Sequence, residues 1–267
     1  MGIRRQRGAT LAEFAVILPT LLVCVLAVWQ AALVFHAKSH LNYAAFEAAR
    51  AGSVDHARLA SIVQGLAKGL VAYYGGGLNT VELAQRYAQV SADVATAARV
   101  EILSPTRESF DDYQSPVLRT RLNVDARVIP NLGIAYASCP YDRSGCASDP
   151  QNNRSGQSLS DANLLKLRIT YGVPPGKQLP LVGRFYTWAL NALGAGAGDV
   201  FKQGLLDSGR IPLVAHVTVR MHSEPIENST MVSNPGAGNN GNPRDPAETP
   251  PEEPPPGGGE DPPVCPG

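Results

Sequence analysis

The fold of this chain is decided by residues 15–35, whose sequence is AVILPTLLVCVLAVWQAALVF. None of these side chains is charged. A helix of this length measures about 30 Å, which is the thickness of the hydrocarbon core of a bilayer. Arg4, Arg5 and Arg7 precede the run, and basic residues stay on the cytoplasmic side of a membrane helix. The sequence therefore predicts one transmembrane helix, with its N-terminus in the cytoplasm and the remainder of the chain beyond the membrane.

Three other kinds of N-terminal segment compete with this interpretation. A cleaved secretory signal has an apolar core of about 7–15 residues, shorter than this run, but small residues near Ala37 leave cleavage there open. A twin-arginine export signal is disfavoured because Gln6 and Gly8 lie where an apolar segment is expected. A plain, uncleaved signal anchor is the simplest alternative.

A second motif lies between the basic leader and the apolar run, where residues 7–14 have the sequence RGATLAEF. Gly8 ends the leader, Glu13 is the fifth residue after it, and Phe14 follows. This arrangement resembles the prepilin-peptidase site of type IV pilins, in which the bond after glycine is cut and the fifth mature residue is glutamate. A glycine without a side chain suits an extended backbone entering a membrane-embedded protease.

Two further stretches narrow the resemblance. The Glu13-Phe14 pair continues into LPTLL at residues 18–22, and residues 42–52 have the alanine-rich sequence NYAAFEAARAG. Together they resemble the TadE-type minor pseudopilins of tight-adherence (Flp) pili, over roughly residues 4–54. Beyond that segment the likeness is one of architecture.

The resemblance implies a set of sites and partners. A prepilin peptidase would cut between Gly8 and Ala9, and Glu13 with Phe14 would take part in subunit recognition and pairing. The expected partners are that peptidase, other pilins or pseudopilins, the pilus assembly platform, and membrane lipid around residues 15–35. The expected location is the bacterial inner membrane, with the head in the periplasm and incorporation into a cell-surface pilus that serves adhesion. An unprocessed single-pass anchor with a periplasmic binding or sensing head is the alternative.

The position of Glu13 has two physical explanations. A carboxylate costs about 2.5–3.5 kcal/mol at the centre of a membrane helix and less towards the interface, so it normally has a partner. After cleavage the α-amino group of Ala9 would be largely cationic at neutral pH, and the resemblance implies that Glu13 meets this amine on a neighbouring subunit. Alternatively, Thr10 and Glu13 fit a capping box that closes the first helical turn. The two roles are compatible.

Composition separates the chain into segments and argues against nucleic acid as a partner. The 23 basic and 23 acidic residues balance, whereas a nucleic-acid binder is basic. After residue 232 the chain holds 11 of its 22 prolines and carries a net charge of −5. Such a segment cannot bury a core, so we expect it to be disordered.

Hydrophobic periodicity predicts an α+β head. A continuous helix is expected to end at Ala51 with Gly52 as its C-cap, and alanines from Ala31 to Ala49 would let neighbouring helices approach closely. Asn79 is predicted to cap a third helix. Helical patterns cover residues 54–74 and 80–98. Strand-like alternation covers residues 100–103, 118–128, 165–173 and 213–221. Residues 179–206, between the last two strands, are predicted to form an inserted helical hairpin or covering loop.

The predicted fold is thus a long N-terminal transmembrane helix continuing into a head of helices and a three- to four-stranded antiparallel sheet. In the pattern over residues 118–128 the polar positions, Arg127 among them, are expected to form the solvated face. The predicted segments are a leader (1–8), the pilin-like helix (9–52), the head (53–232) and a Pro/Gly-rich acidic tail (233–267).

The four cysteines divide by context. Cys24 lies in the apolar run and is expected to be an inert thiol. Cys139 and Cys146 are close in sequence, and outside the cytoplasm we expect them to close a small loop as a disulfide. Cys265 is left over, either free or bridging to another chain.

No motif indicates catalysis, a cofactor or a metal. The sequence lacks a phosphate loop, a dinucleotide fingerprint and a nucleophile elbow. His36 and His40 are four residues apart on a helix, but a polar collar at the membrane boundary explains them more simply than a metal site. We therefore expect a protein that works by assembly and not as an enzyme.

Overall fold

Two periodicities in the sequence, 3.6 and 2 residues, give rise to the helices and strands of this protein. The computed structural model describes residues 9–132 and 153–236, with side chains from Glu13 onward. The elements in chain order are α1 (Ala9–Val54), α2 (Leu59–Leu70), α3 (Thr80–Ala97), β1 (Ala98–Ser104), α4 (Arg107–Tyr113), α5 (Pro116–Leu122), α6 (Leu159–Ala162), β2 (Leu164–Val173), a 3₁₀ turn (Pro175–Lys177), α7 (Val182–Ala192), α8 (Val200–Asp207) and β3 (Ile211–Arg220). The α+β class is confirmed.

The three described strands form an antiparallel sheet in the order β1-β2-β3. Ile169 on the central strand lies opposite Val100 on one side and Ala215 on the other. Alternate side chains of β2, including Leu165 and Leu167, are fully buried. Their period of two turns one face of the sheet towards the helices, which cover it as the sequence predicts.

Helix α1 is both the predicted membrane helix and a core element of the head. Its 46 residues make a rod of about 70 Å, and the rod continues through Pro19. Leu41, Ala44 and Ala48 near its C-terminal end are completely buried. The part of α1 from Ala37 onward therefore belongs to the hydrophobic core.

The predicted C-cap at Gly52 is wrong, because α1 runs on to Val54. A Cβ at Gly52 would lie 2.6 Å from the Cγ1 of Ile62 in α2, so this glycine serves close packing within the helix. The helix ends where His56 and Ala57 adopt positive φ values of 55° and 58°. The Ala57 amide then donates to the Gly52 carbonyl at 2.9 Å and closes the turn.

Four of the alanines predicted to lie between neighbouring subunits, Ala44, Ala45, Ala48 and Ala49, are instead buried inside the molecule, whereas Ala31 and Ala32 are exposed. Ala44 and Ala48 face Gly69 and Gly65 of α2, so that the two helix backbones touch. Ideal Cβ atoms at Gly65 and Gly69 would lie 2.8 Å and 2.5 Å from the Cα atoms of Ala48 and Ala44. Such backbone contact leaves no room for any side chain between α1 and α2.

The predicted cap of α3 is confirmed. The Asn79 side chain accepts a hydrogen bond of 2.8 Å from the Glu82 amide. The capped helix and α2 lie on the same side of the sheet, where Val90 and Val94 join the core.

The strand predicted over residues 118–128 is wrong. Ser115 caps a helix by accepting from the Leu118 amide, and Pro116 occupies the first turn, where its missing N–H costs nothing. This helix, α5, ends at Asn123, whose φ of 50° is left-handed. The serine cap and the proline at the N-terminus of α5 therefore override the alternation of apolar and polar residues. Val128 keeps a single β-bridge, to Ile226.

Arg127 is correspondingly buried and not on a solvated face. Its guanidinium donates to both carboxylate oxygens of Glu227, at 2.7 and 2.6 Å, and to Asp111. Burial opposes the charge, but the hydrogen bonds that Arg127 donates to Glu227 and Asp111, together with their negative charges, more than compensate and raise the pKa of Arg127. This ion cluster joins α4 to the segment after β3.

Two contacts fix how the sheet lies along α1. The Lys38 ammonium donates to the Val214 carbonyl near the start of β3. Fifteen residues further along α1, the Ser53 carbonyl accepts from the His222 amide just after β3. Strand β3 therefore runs in the direction of α1, and the β2–β3 connection with α7 and α8 lies at the end of the head nearest the apolar half of α1.

The contact between α1 and α2 can be tested with two glycines. We expect Gly69→Ala to lower the free energy of unfolding by about 1–3 kcal/mol, because the new methyl group overlaps the Ala44 backbone. Gly204 is the matched control: it is also helical, but nothing lies within 4 Å of its ideal Cβ position. Gly204→Ala should leave stability unchanged or raise it by up to about 1 kcal/mol. Urea-dependent proteolysis of the full chain in detergent measures both, and equal stability of the two variants would contradict the packing argument.

Candidate functional site

The N-terminal half of α1 is an exposed apolar rod. Every side chain from Glu13 to Trp29 is exposed except Leu26, which is half-buried, and Gln30 is the first buried residue. Within the described residues, α1 is the one helix long and apolar enough to cross a membrane. An exposed apolar surface of this length requires either lipid or other apolar helices around it.

The residues predicted for processing and pairing lie at the start of this rod. Ala9 is the first residue of α1, while Gly8 lies outside the described residues. Glu13 and Phe14 are both exposed, and Phe14 keeps 61% of its surface accessible. Among the residues described, none forms an ion pair or hydrogen bond with the Glu13 carboxylate.

The alternative role of Glu13 in a capping box does not fit the backbone. A capping box requires a non-helical residue at the N-cap, but Thr10 already lies within α1, one residue after its start. The backbone described from Ala9 onward therefore does not place Thr10 at an N-cap.

The remaining sequence-predicted positions are distributed along the chain. Cys24 is an exposed free thiol on the apolar half of α1. Cys139, Cys146 and Cys265 lie outside the described residues, so the predicted disulfide remains a prediction. His36 and His40 are adjacent, with 3.1 Å between their Nε2 atoms, and both rings approach Tyr73. No group of three or more metal-ligating side chains occurs in residues 9–132 and 153–236.

Sequence reasoning missed the contact between Gln30 and α7. The Gln30 Oε1 accepts a hydrogen bond of 3.0 Å from the Leu179 amide, just before α7, and the residue is 1% exposed. The signal was present, since Gln30 is a polar residue in a 21-residue apolar run. Its partner is 149 positions away, which no local pattern indicates.

A buried polar cluster beneath the sheet was also not predicted. The hydroxyls of Tyr74 and Tyr171 donate to the Oδ2 of Asp93 at 2.6 and 2.7 Å. Arg210 donates to the other oxygen of Asp93 at 2.6 Å and to the Gly172 carbonyl at 2.9 Å. The four side chains come from α3, from both sides of the β2–β3 connection, and from the turn after α2.

The electrostatics of this cluster favour a charged Asp93 and neutral tyrosines. Burial by itself would raise the pKa of Asp93, but hydrogen bonds from Arg210, Tyr171 and Tyr74 outweigh it and hold the pKa below its ordinary value. Burial and the neighbouring carboxylate raise the pKa of Tyr171 and Tyr74. Every charge in the cluster therefore has its partner inside the head, which is typical of a structural role.

A second ion cluster ties α8 to the outer face of the sheet. Arg99 donates to both oxygens of Asp199, at 2.9 and 2.5 Å, while Asp199 also caps α8. Arg168 pairs with Glu101 on the adjacent strand at 2.7 Å. The bond from Arg99 lowers the pKa of Asp199 to about 2.

The geometry of the described residues fits a single-pass membrane anchor, with one apolar helix long enough to cross a membrane whose continuation forms part of an α+β head. The chain is similar to a known family over this helix: the family model described as TadE-like protein matches residues 8–50. The match covers α1 up to Arg50, and it confirms the resemblance indicated by the RGATLAEF motif. No curated protein and no solved structure matches the chain significantly. The family match and the apolar helix support a pilus-related membrane protein.

The lowered pKa of Asp93 predicts that the free energy of unfolding depends on pH. A carboxylate whose pKa is lowered by folding stabilises the fold above its ordinary pKa of 3.8 and loses that contribution as the pH falls through the lowered value. We expect Asp93→Asn to reduce the free energy of unfolding at pH 7 by about 1–3 kcal/mol. The difference from the wild type in the free energy of unfolding should narrow as the pH falls below the ordinary pKa of 3.8, measured by unfolding of the full chain in detergent.

Asp207→Asn is the matched control, because Asp207 is exposed and its described contact is a hydrogen bond from Gln203. The free energy of unfolding of Asp207→Asn should stay within about 0.5 kcal/mol of the wild-type value both at pH 7 and at the acidic pH values. If the free energy of unfolding of Asp93→Asn differs from that of the wild type by the same amount at every pH, the ionisation of Asp93 contributes nothing to stability.

Proposed function

We propose that this chain is a TadE-like minor pseudopilin that a prepilin peptidase processes between Gly8 and Ala9. The processed protein takes part in assembling a tight-adherence pilus or a related secretion apparatus. It is held in the inner membrane by α1, with the head in the periplasm. The observation that supports this most strongly is the family match over residues 8–50, together with an exposed carboxylate at the fifth position after Gly8 that has no partner within residues 9–132 and 153–236.

The carboxylate of Glu13 carries the pairing step of this proposal. In a bilayer it lies on an apolar rod where an unpaired charge is costly, and the rest of the described chain supplies no cation. Cleavage before Ala9 creates a cationic amine about one helical turn from Glu13. We propose that Glu13 pairs with this amine on a neighbouring subunit, which would align adjacent subunits.

We propose further that the protein is not an enzyme. Three of the shifted titratable groups, Asp93, Arg127 and Asp199, are each held by internal ion pairs or hydrogen bonds. A catalytic group needs a free functional atom facing a substrate. The protein would instead act through helix–helix and head–head contacts with pilins and the assembly platform.

Processing is tested by the N-terminal residue of the protein extracted from membranes. With the peptidase present, intact mass and terminal sequencing should give a start at Ala9; without it, the leader should remain. Gly8→Val should block the cut, because the side chain hinders an extended backbone at the protease. Gly2→Val, in the same leader, is the matched control and should be processed normally.

Each contrary result would indicate a different role for the N-terminal segment. An uncut N-terminus in the presence of the peptidase would leave α1 as an ordinary signal anchor and favour a periplasmic binding or sensing head. A start near Lys38 would indicate a cleaved secretory signal. Processing of Gly8→Val at the wild-type rate would place the cut elsewhere.

The pairing role of Glu13 is tested separately from cleavage. We expect Glu13→Gln to be processed but to be recovered with the pilus assembly complex about tenfold less, because the Ala9 amine then lacks its counter-charge near the hydrocarbon. Glu13→Asp should restore most of the recovery. Glu47→Gln on the same helix, which removes an exposed pair with Arg50 at 3.7 Å, is the control. Recovery of Glu13→Gln at the wild-type level would rule out charge pairing.

A further inference from the structure

Helix α7 carries an apolar stripe that the head leaves uncovered. Leu181, Phe185 and Trp188 follow one another at helical spacings of four and three residues, so they share one face. Phe185 and Trp188 remain 65% and 64% exposed, and their rings pack together with 5.5 Å between centroids. The opposite side of α7 contains the buried Gly183 and Thr187. We call Leu181, Phe185 and Trp188 the aromatic stripe.

The contact with α1 fixes the depth of the aromatic stripe. Leu179, two residues before the stripe, is hydrogen-bonded to Gln30, the first buried residue of α1. Lys177, a further two residues back, lies over the ring of Tyr73, which contacts His36 and His40. The chain therefore moves down α1 towards its apolar half just before α7 begins. This places the start of the stripe at the level of residue 30.

The level of Gln30 matches the outer boundary of a bilayer whose inner boundary lies at Glu13. From Gln30 to Glu13 is 17 residues, or about 26 Å of helix, close to the hydrocarbon thickness of about 30 Å. With Glu13 at the inner boundary, Gln30 lies at the outer one. The side chains of α1 immediately below Gln30 are exposed and apolar, so the lipid around them continues up to α7.

The chemistry of the segment fits a lipid surface. Tryptophan and phenylalanine are favoured at the depth where acyl chains meet headgroups. Residues 174–198 contain Lys177 and Arg184 but no acidic side chain, which suits the phosphates of anionic lipids. Arg184 is exposed and lies one helical turn from Trp188.

We propose that the aromatic stripe lies in the outer interface of the membrane that α1 spans, so that α7 is a second, peripheral membrane contact. The head then rests on the bilayer with a fixed tilt about α1. This inference requires that α1 spans a membrane; it does not require cleavage at Gly8 or pairing through Glu13.

The test uses the two tryptophans of the full chain, Trp29 and Trp188. Trp29→Phe leaves Trp188 as the reporter on α7, and Trp188→Phe leaves Trp29 as the reporter within the span. Each variant is reconstituted into vesicles of phosphatidylethanolamine and phosphatidylglycerol that carry bromine either near the top or near the middle of the acyl chains. Acrylamide in the outer solution measures access from water.

We expect Trp188 to be quenched more by the shallow than by the deep bromine, and weakly by acrylamide. Trp29, one residue before Gln30 on α1, should show the same preference for shallow bromine. Phe185→Asp should raise acrylamide quenching of Trp188 about threefold or more, because a charge on the stripe lifts it towards water. Val117→Asp is the matched control: Val117 is 63% exposed on α5, at the opposite end of the head, and its change should leave Trp188 unaffected.

Three results would overturn the proposal. Strong acrylamide quenching of Trp188 with no effect of bromolipid would place α7 in water. Protection from both quenchers would show that protein covers the stripe, and a rise of that protection with protein-to-lipid ratio would identify a second copy. Absence of bromolipid quenching for Trp29 would show that α1 does not span the bilayer, which removes the premise of the depth argument.

Discussion

The backbone contact between α1 and α2 is the interaction on which the rest of the head depends. Ala44 and Ala48 meet Gly69 and Gly65 with no side chain between them, and this brings α2 close enough for Leu66 and Leu70 to be fully buried. The sheet then packs against the same stretch of α1. Since alanine and glycine lose little side-chain entropy on burial, close packing is obtained at low cost.

One helix therefore serves two surroundings. Its first half presents apolar side chains outward on all sides, as a lipid-facing or helix-facing rod does, and its second half presents small side chains to a protein core. Because α1 continues without a break through Val54, a displacement of the span moves the core with it. The position of the head relative to the apolar half of α1 is consequently a property of the fold.

Two charged clusters of the head pair groups that are distant in sequence. Arg127 joins Asp111 to Glu227, and Asp93 joins two tyrosines to Arg210. A buried cation that lost its partners would be costly, so such clusters select one arrangement of the elements over others. They act at opposite ends of the sheet: Arg127 near the segment after β3, Asp93 near the start of β3.

Prediction from sequence succeeded where one local signal acted alone. The apolar run gave α1, Asn79 gave the start of α3, and alternation gave β2 and β3 almost to the residue. It failed over residues 118–128, where a serine cap and a proline competed with alternation and won. It also failed at Gly52, because a glycine can end a helix or let one pack closely, and the neighbour that decides is Ile62.

The sequence by itself determined the span, the charge asymmetry around it, the RGATLAEF motif and the class of the head, because each depends on composition or on a short period along the chain. Only the tertiary structure decided that the alanines of α1 face α2, that Arg127 is buried, and that Gln30 holds the start of α7. These outcomes depend on pairs of groups up to 149 positions apart. A periodic pattern shows which face of an element is buried; it does not show what that face will meet.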